Sequence, residues 1–204
     1  MKIAILDLGT NTFNLFIAEL LPSPKESGLL QTASGQAGFT KLYKSKIAVK
    51  LGEGGINRNL IEERPFKRGI RALQKHKATI DKYGAEQIIA LATSGIRSAT
   101  NGKEFLQKAK KKTGINITII SGDREAELIY YGVRSAVKMT NQLSLIMDIG
   151  GGSTEFIIAN GEKIFWKQSF LLGAARILEK FNPHDPIKEE EVKNLENYLE
   201  QELH

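Results

Sequence analysis

Leu143-Ser144-Leu145-Ile146-Met147-Asp148-Ile149-Gly150-Gly151-Gly152-Ser153-Thr154-Glu155 is an apolar run that ends on an aspartate and breaks into a turn of Gly and Ser. The N-terminus carries the same design in Lys2-Ile3-Ala4-Ile5-Leu6-Asp7-Leu8-Gly9-Thr10-Asn11-Thr12-Phe13-Asn14. Each apolar run reads as a buried strand, and a second strand-like run follows each turn. Turns of small residues expose backbone N–H groups and let a phosphate approach them closely. The aspartate is suited to hold a divalent cation or a water beside that phosphate. A lone turn of this kind is more often an ordinary tight hairpin. Two of them predict a duplicated α/β scaffold with phosphate held between its halves.

Composition narrows the classes. The chain has 204 residues, 41% hydrophobic and 25% charged, which is an ordinary globular balance able to bury a substantial core. No apolar run reaches membrane-spanning length, and the N-terminus has no signal-peptide shape, so no membrane partner is expected. Cysteine is absent, which rules out disulfides and thiolate metal sites and makes a cytoplasmic location the expectation. A net charge of +6 and a pI near 9.4 invite a polyanion, although a solvated basic surface explains charge alone equally well. Aromatic residues are scattered, which disfavours a nucleic-acid stacking platform. His76, His184 and His204 lie outside the motif segments, so no histidine-centred site is expected.

The remaining chain alternates strands and helices. Phe13 to Leu21 reads as the partner of the first strand, stopped by Pro22-Ser23-Pro24. Residues 28–51 hold weaker strand runs, among them Lys46 to Leu51. A helix is expected over about Glu62 to Lys82, with Phe66, Ile70, Leu73, Lys77 and Ile80 along one stripe and Gly84 as its stop. A strand over Gln87 to Thr93, a helix over Gly102 to Lys112 and a strand over Ile115 to Ile120 follow. Ser121 reads as the N-cap of a helix with Ala126, Ile129, Tyr130, Val133 and Val137 at helical spacing. After the second turn come strands to Ala159 and over Lys163 to Phe170, then helices near Gly173–Phe181 and Lys188–Leu203. The second half begins to repeat the first and stops before its later strands.

Four segments, in this order, resemble the exopolyphosphatase/guanosine pentaphosphate phosphohydrolase (Ppx/GppA) family. They are Asp7 to Asn14, Ala92 to Asn101 (ATSGIRSATN), Ile120 to Val133 (ISGDREAELIYYGV) and Asp148 to Glu155. Phe170 to Arg176 (FLLGAAR) resembles a weaker fifth signature. The resemblance implies an actin-like (ribonuclease H-like) two-lobe α/β fold. Residues 1–120 would form a first lobe carrying phosphate loop 1. Residues 121–204 would begin a second, incomplete lobe carrying loop 2. It also implies release of terminal orthophosphate from inorganic polyphosphate or guanosine pentaphosphate by magnesium-assisted attack of water.

Read from the residues, such hydrolysis needs anchored phosphates, a cation and a group that orients or deprotonates water. Gly9, Thr10, Asn11 and Asn14 would bind phosphate from the first half, and Gly150, Gly151, Gly152, Ser153 and Thr154 from the second. Arg97 follows a strand at the edge where α/β proteins bind ligands, and its fork suits phosphate oxygens. The resemblance gives that arginine position a phosphate contact. Glu125 is the candidate catalytic base, since the family's catalytic glutamate stands immediately before the small residue matched by Ala126. A glutamate there is otherwise an ordinary first-turn acid favoured by the helix dipole, a reading shared by Asp123 and Glu127. Arg124 stands where many relatives carry another acid. Asp7, Asp148 and Glu155 are the candidate acids for magnesium or another divalent cation, acting through water, or else acids that bond turn amides. Lys41, Lys44, Lys46 and Lys50 would steer a phosphate chain or simply solvate a strand face. Two rivals stand beside the hydrolase: an ATP-using kinase of the same fold, and a polyphosphate- or nucleotide-binding module without catalysis. Oligomeric state is open, a homodimer included.

Overall fold

Alternation of apolar residues sets the first sheet. In β1 (Lys2–Leu8), Ala4, Leu6 and Leu8 are buried, and in β2 (Thr12–Leu20) so are Phe13, Leu15 and Ile17. The computed structural model describes residues 1–21 and 38–203. The expected proline stop at 22–24, the strand runs in 28–37 and His204 lie outside that range. β1 pairs antiparallel with β2, and β2 antiparallel with β3 (Phe39–Ala48). On its other side β1 pairs parallel with β4 (Gln87–Ala92), and β4 parallel with β5 (Ile117–Ile119), giving the order β3-β2-β1-β4-β5.

Two helices cover the apolar face. In α1 (Glu63–Tyr83) the stripe uses Ile70, Leu73 and Ile80 as expected, with Gly84 stopping the helix in the left-handed conformation. His76, rather than the expected Lys77, is the polar residue buried in that stripe. Its Nε2 lies 3.1 Å from the Phe13 carbonyl, which satisfies the ring, and burial pushes its pKa below the ordinary 6.5. Lys77 instead swings out to Asp81. The short helix α2 (Ser94–Arg97) follows β4, and α3 (Gly102–Thr113) packs Phe105 and Ala109 into the same core.

The second sheet is smaller. β6 (Ser144–Ile149), β7 (Thr154–Ala159) and β8 (Ile164–Phe170) run antiparallel in sequence order. Helix α4 (Gly122–Ala136) lays Ala126 and Tyr130 against Ile157 and Ala159. Ser121 is its N-cap, its Oγ accepting the Arg124 amide at 3.1 Å. Val137 lies past the helix end and is exposed. Helices α5 (Ala174–Phe181) and α6 (Glu189–Leu203) close the chain.

The two turn units match residue for residue. Asp7 sits opposite Asn14 and Leu8 opposite Phe13, as Asp148 sits opposite Glu155 and Ile149 opposite Thr154. Both turns close with the same bond, Gly9 N to Thr12 O at 3.1 Å and Gly150 N to Ser153 O at 2.9 Å. Their surroundings differ, and the expectation that both lead strands are buried needs correction. Leu6 and Leu8 are 0% exposed, but Leu145, Met147 and Ile149 are 64%, 53% and 59% exposed. β1 lies between β2 and β4 under α1 and α3. β6 has only β7 beside it, and among the described residues nothing covers its odd-numbered face.

Candidate phosphate site

Three parallel strands of the first sheet point their C-terminal ends at one edge. β1 delivers Asp7 and the turn 9–11, β4 delivers α2 with Arg97, and β5 delivers Ser121 and the first turn of α4 with Glu125. That edge is where open α/β sheets bind ligands. β6 brings Asp148 and the turn 150–153 to the same place. An alanine Cβ built at Gly151 would stand 2.8 Å from Asn11 Nδ2, and one at Gly152 would stand 2.7 Å from Ser94 Oγ. The two turns therefore touch, and a side chain at either glycine would push these neighbours aside.

Each turn is strapped by its carbonyls. Val49 N and Lys50 N donate to Asn11 O at 2.8 Å, and Leu51 N donates to Thr10 O at 2.7 Å. Ala174 N and Ala175 N donate to Gly150 O and Gly151 O at 2.9 Å. The first strap explains why the strand expected through Leu51 stops at Ala48. With carbonyls bound behind and Gly9 N and Gly150 N spent on turn closure, the amides of Thr10, Asn11, Gly151 and Gly152 have no protein acceptor among the described residues. Free amides on a turn of small residues are anion-binding groups. Gly9 and Gly150 thus shape the turns rather than supply donors, and Thr154 Oγ1 is turned away to the Leu172 carbonyl at 2.9 Å.

The charged groups meet beside these turns. Arg97 Nη1 donates to Glu125 Oε2 at 2.8 Å and to the Ile120 carbonyl at 3.1 Å, with both side chains mostly buried. Burial pushes the Glu125 carboxyl above its ordinary value of 4.5, Arg97 pulls it down, and Glu155 and Asp7 push it up. Crowding by neighbouring atoms raises Asp7 above 3.8 although its side chain keeps an edge open to solvent, opposed by a 3.0 Å bond from Asn14 Nδ2 and reinforced by the charge of Asp148. Glu155 is buried and accepts from Ser169 Oγ at 2.7 Å. The charges of Asp148 on Asp7, and of Glu155 and Asp7 on Glu125, cross between the two sequence halves. Glu127, by contrast, faces outward to Arg124 and Lys167. Among the described residues no three His, Asp or Glu side chains form a ready metal cage.

Sequence reasoning missed four participants. Ser94 Oγ is buried with no partner beside Thr10 and Gly152. Ser98 and Ser169 orient Arg176 and Glu155. Arg176 is buried and donates to Gly152 O, Ile56 O and Ser98 Oγ. Arg176 had a signal in its place in the FLLGAAR segment, and Ser94 and Ser98 in theirs within ATSGIRSATN; Ser169 had none.

Paired acid-bearing turns meet on one edge of an α/β scaffold. The chain belongs to the Ppx/GppA phosphatase family, whose description matches residues 30–204, and its fold is the actin-like α/β fold. Among solved structures it resembles an exopolyphosphatase from Cytophaga hutchinsonii, with 38% identity, a TM-score of 0.90, all of this chain and 61% of that one covered. The Aquifex aeolicus family member matches at 28% identity and a TM-score of 0.72, over all of this chain and 61% of that one. A curated relative, the bifunctional 3-dehydroquinate synthase/phosphatase of Fusobacterium nucleatum, is 38% identical over 182 residues, 87% of this chain and 26% of that protein. The chain thus spans about three fifths of these solved relatives and a quarter of the curated one. No helix among the described residues is long and apolar enough to cross a membrane.

Proposed function

We propose that this chain carries the phosphate-gripping and water-activating groups of a phosphoanhydride hydrolase acting on inorganic polyphosphate or guanosine pentaphosphate. The observation that carries the reading is Glu125, a carboxylate of raised pKa held against Arg97 beside two turns with free amides. Residues 1–120 and 121–204 are taken as its two lobes, a division supported by the sheets lying wholly on either side of Ser121. The terminal phosphate lies against the amides of Thr10, Asn11, Gly151, Gly152 and Ser153. Arg97 Nη2 turns toward its oxygens and stabilises charge in the transition state. Glu125 takes the proton of the attacking water as its oxygen bonds to the terminal phosphorus. The bridging P–O bond breaks, and orthophosphate leaves with the chain one phosphate shorter.

Asp7, Asp148 and Glu155 fit a divalent cation. They are hard oxygen donors, and Asp7 and Asp148 repel each other until a positive charge relieves them. Magnesium keeps several waters and needs only one or two carboxylates with phosphate, so a protein-only cage is not required. When bound it neutralises charge on the phosphoryl oxygens.

The test is phosphate release from polyphosphate and guanosine pentaphosphate by the whole protein. Glu125→Gln should lower turnover roughly 10²–10⁴-fold with binding preserved. Undiminished release by that variant removes Glu125 from the chemistry. Binding without release in the unmodified protein moves the reading to a binding module.

A further inference from the structure

The guanidinium of Arg176 is buried where the two sheets meet and is shared three ways. Nε donates to Gly152 O at 2.9 Å, Nη1 to Ile56 O at 2.8 Å and Nη2 to Ser98 Oγ at 2.8 Å. Gly152 belongs to the second turn, Ile56 opens a 3₁₀ turn (Ile56–Arg58) after β3, and Ser98 caps α2 directly after Arg97. The partners are 120, 78 and 24 residues away in sequence. Ser98 Oγ in turn donates to Ser94 O at 2.9 Å, which fixes the turn of backbone that carries Arg97. Asn57 fastens the same point from outside, its Nδ2 donating to the Arg176 carbonyl at 3.0 Å.

Three neutral acceptors take three of the five donors of this planar fork, and among the described residues no carboxylate pairs with it. Burying an arginine this way is costly for stability alone, since an apolar residue would fill the same space without desolvating a charge. Its geometry does what an apolar residue cannot: it fixes the second turn and the Arg97 helix at set distances from one planar group.

We propose that Arg176 is a positioning residue, a three-point latch that holds the second turn in register with Arg97 and the first turn. It touches no substrate and acts through Gly152 and Ser98. The inference rests on the phosphate-site reading for its effect on turnover but not for its effect on geometry, so the two are measured separately.

These 204 residues hold no cysteine, so with any cysteine elsewhere in the whole protein replaced by serine, Lys103→Cys on α3 and Lys138→Cys after α4 give two spin-label sites, one on each side of Ser121. In the whole protein the pair should give one narrow distance distribution. Arg176→Met should broaden it and lower kcat for polyphosphate about 10–100-fold with a smaller change in KM, the size expected of a misplaced catalytic group. Arg176→Lys should restore little, because an ammonium cannot span three acceptors. Guanidinium ion added to Arg176→Ala should recover part of the loss. A distribution unchanged by Arg176→Met overturns the latch whatever turnover does. A broadened one in a protein that never releases phosphate supports the latch and sinks the hydrolase reading. If Arg176→Met does not fold, Ser98→Ala with Asn57→Ala keeps the arginine and removes two supports. Broadening there supports the latch, and an unchanged distribution overturns it.

Discussion

Glu125 is caught between burial and Arg97, and its protonation follows from which dominates. Burial does, so the carboxyl titrates above 4.5. The acidic limb of kcat against pH should then have its midpoint above 4.5, and Arg97→Met should move it higher still by removing the group that pulls it down. A limb at or below 4.5, or one that Arg97→Met leaves in place, contradicts this assignment. Asp7 and Glu125 both bind protons more tightly folded than unfolded. The stability this confers is fully present below their unfolded values of 3.8 and 4.5 and is lost as pH rises through the raised folded values. Both residues were legible in the sequence because they stand in motif segments. That Arg97 grips Glu125 across 28 residues was not, since an ion pair between separate elements leaves no periodic trace. The roles of Ser94, Ser98 and Ser169 were hidden for the same reason, although Ser94 and Ser98 stand in a motif segment: a serine's role is set by what folds against it.

At the scale of elements, the helices and strands followed local rules, and the departures occur where tertiary contacts intervene. His76 replaced Lys77 in the α1 stripe because the Phe13 carbonyl gives the ring a partner. β3 ended at Ala48 because residues 49–51 are taken up as a strap. The second strap depends on Gly173, where any Cβ would collide with the backbone of Gly151 and Gly152. Gly173→Ala should therefore destabilise the protein by about 1–3 kcal/mol; sulfate should raise the melting temperature of the parent, and the variant should lose that rise. A sulfate response equal to the parent's would show that the strap does not shape the turn. β6 is the element the apolar pattern misjudged. The run predicts burial, but burial needs a covering layer, and periodicity does not say whether one is present. Its open face of Leu145, Met147 and Ile149 is an association hazard. For the 204-residue chain, Leu145→Glu with Met147→Lys should lower concentration-dependent light scattering and dye binding to apolar surface. Unchanged scattering would mean that this face is covered in solution.

Across the whole molecule, the duplicated turn was the most informative signal, because it specified two halves, their common edge and the acids between them. The sequence could not show that the turns press directly together, or that Arg176 bonds the second turn to Ile56 and Ser98. Those facts depend on glycine approach distances and buried polar contacts between segments distant in sequence. In the proposed reaction, water activated by Glu125 attacks a terminal phosphorus. Hydrolysing polyphosphate in ¹⁸O-labelled water with the whole protein tests it most directly, by the isotope content and rate of the orthophosphate released. Each orthophosphate should carry one solvent oxygen and be formed roughly 10²–10⁴-fold more slowly by Glu125→Gln. Orthophosphate without solvent oxygen, or labelled product formed at the same rate by Glu125→Gln, would contradict it.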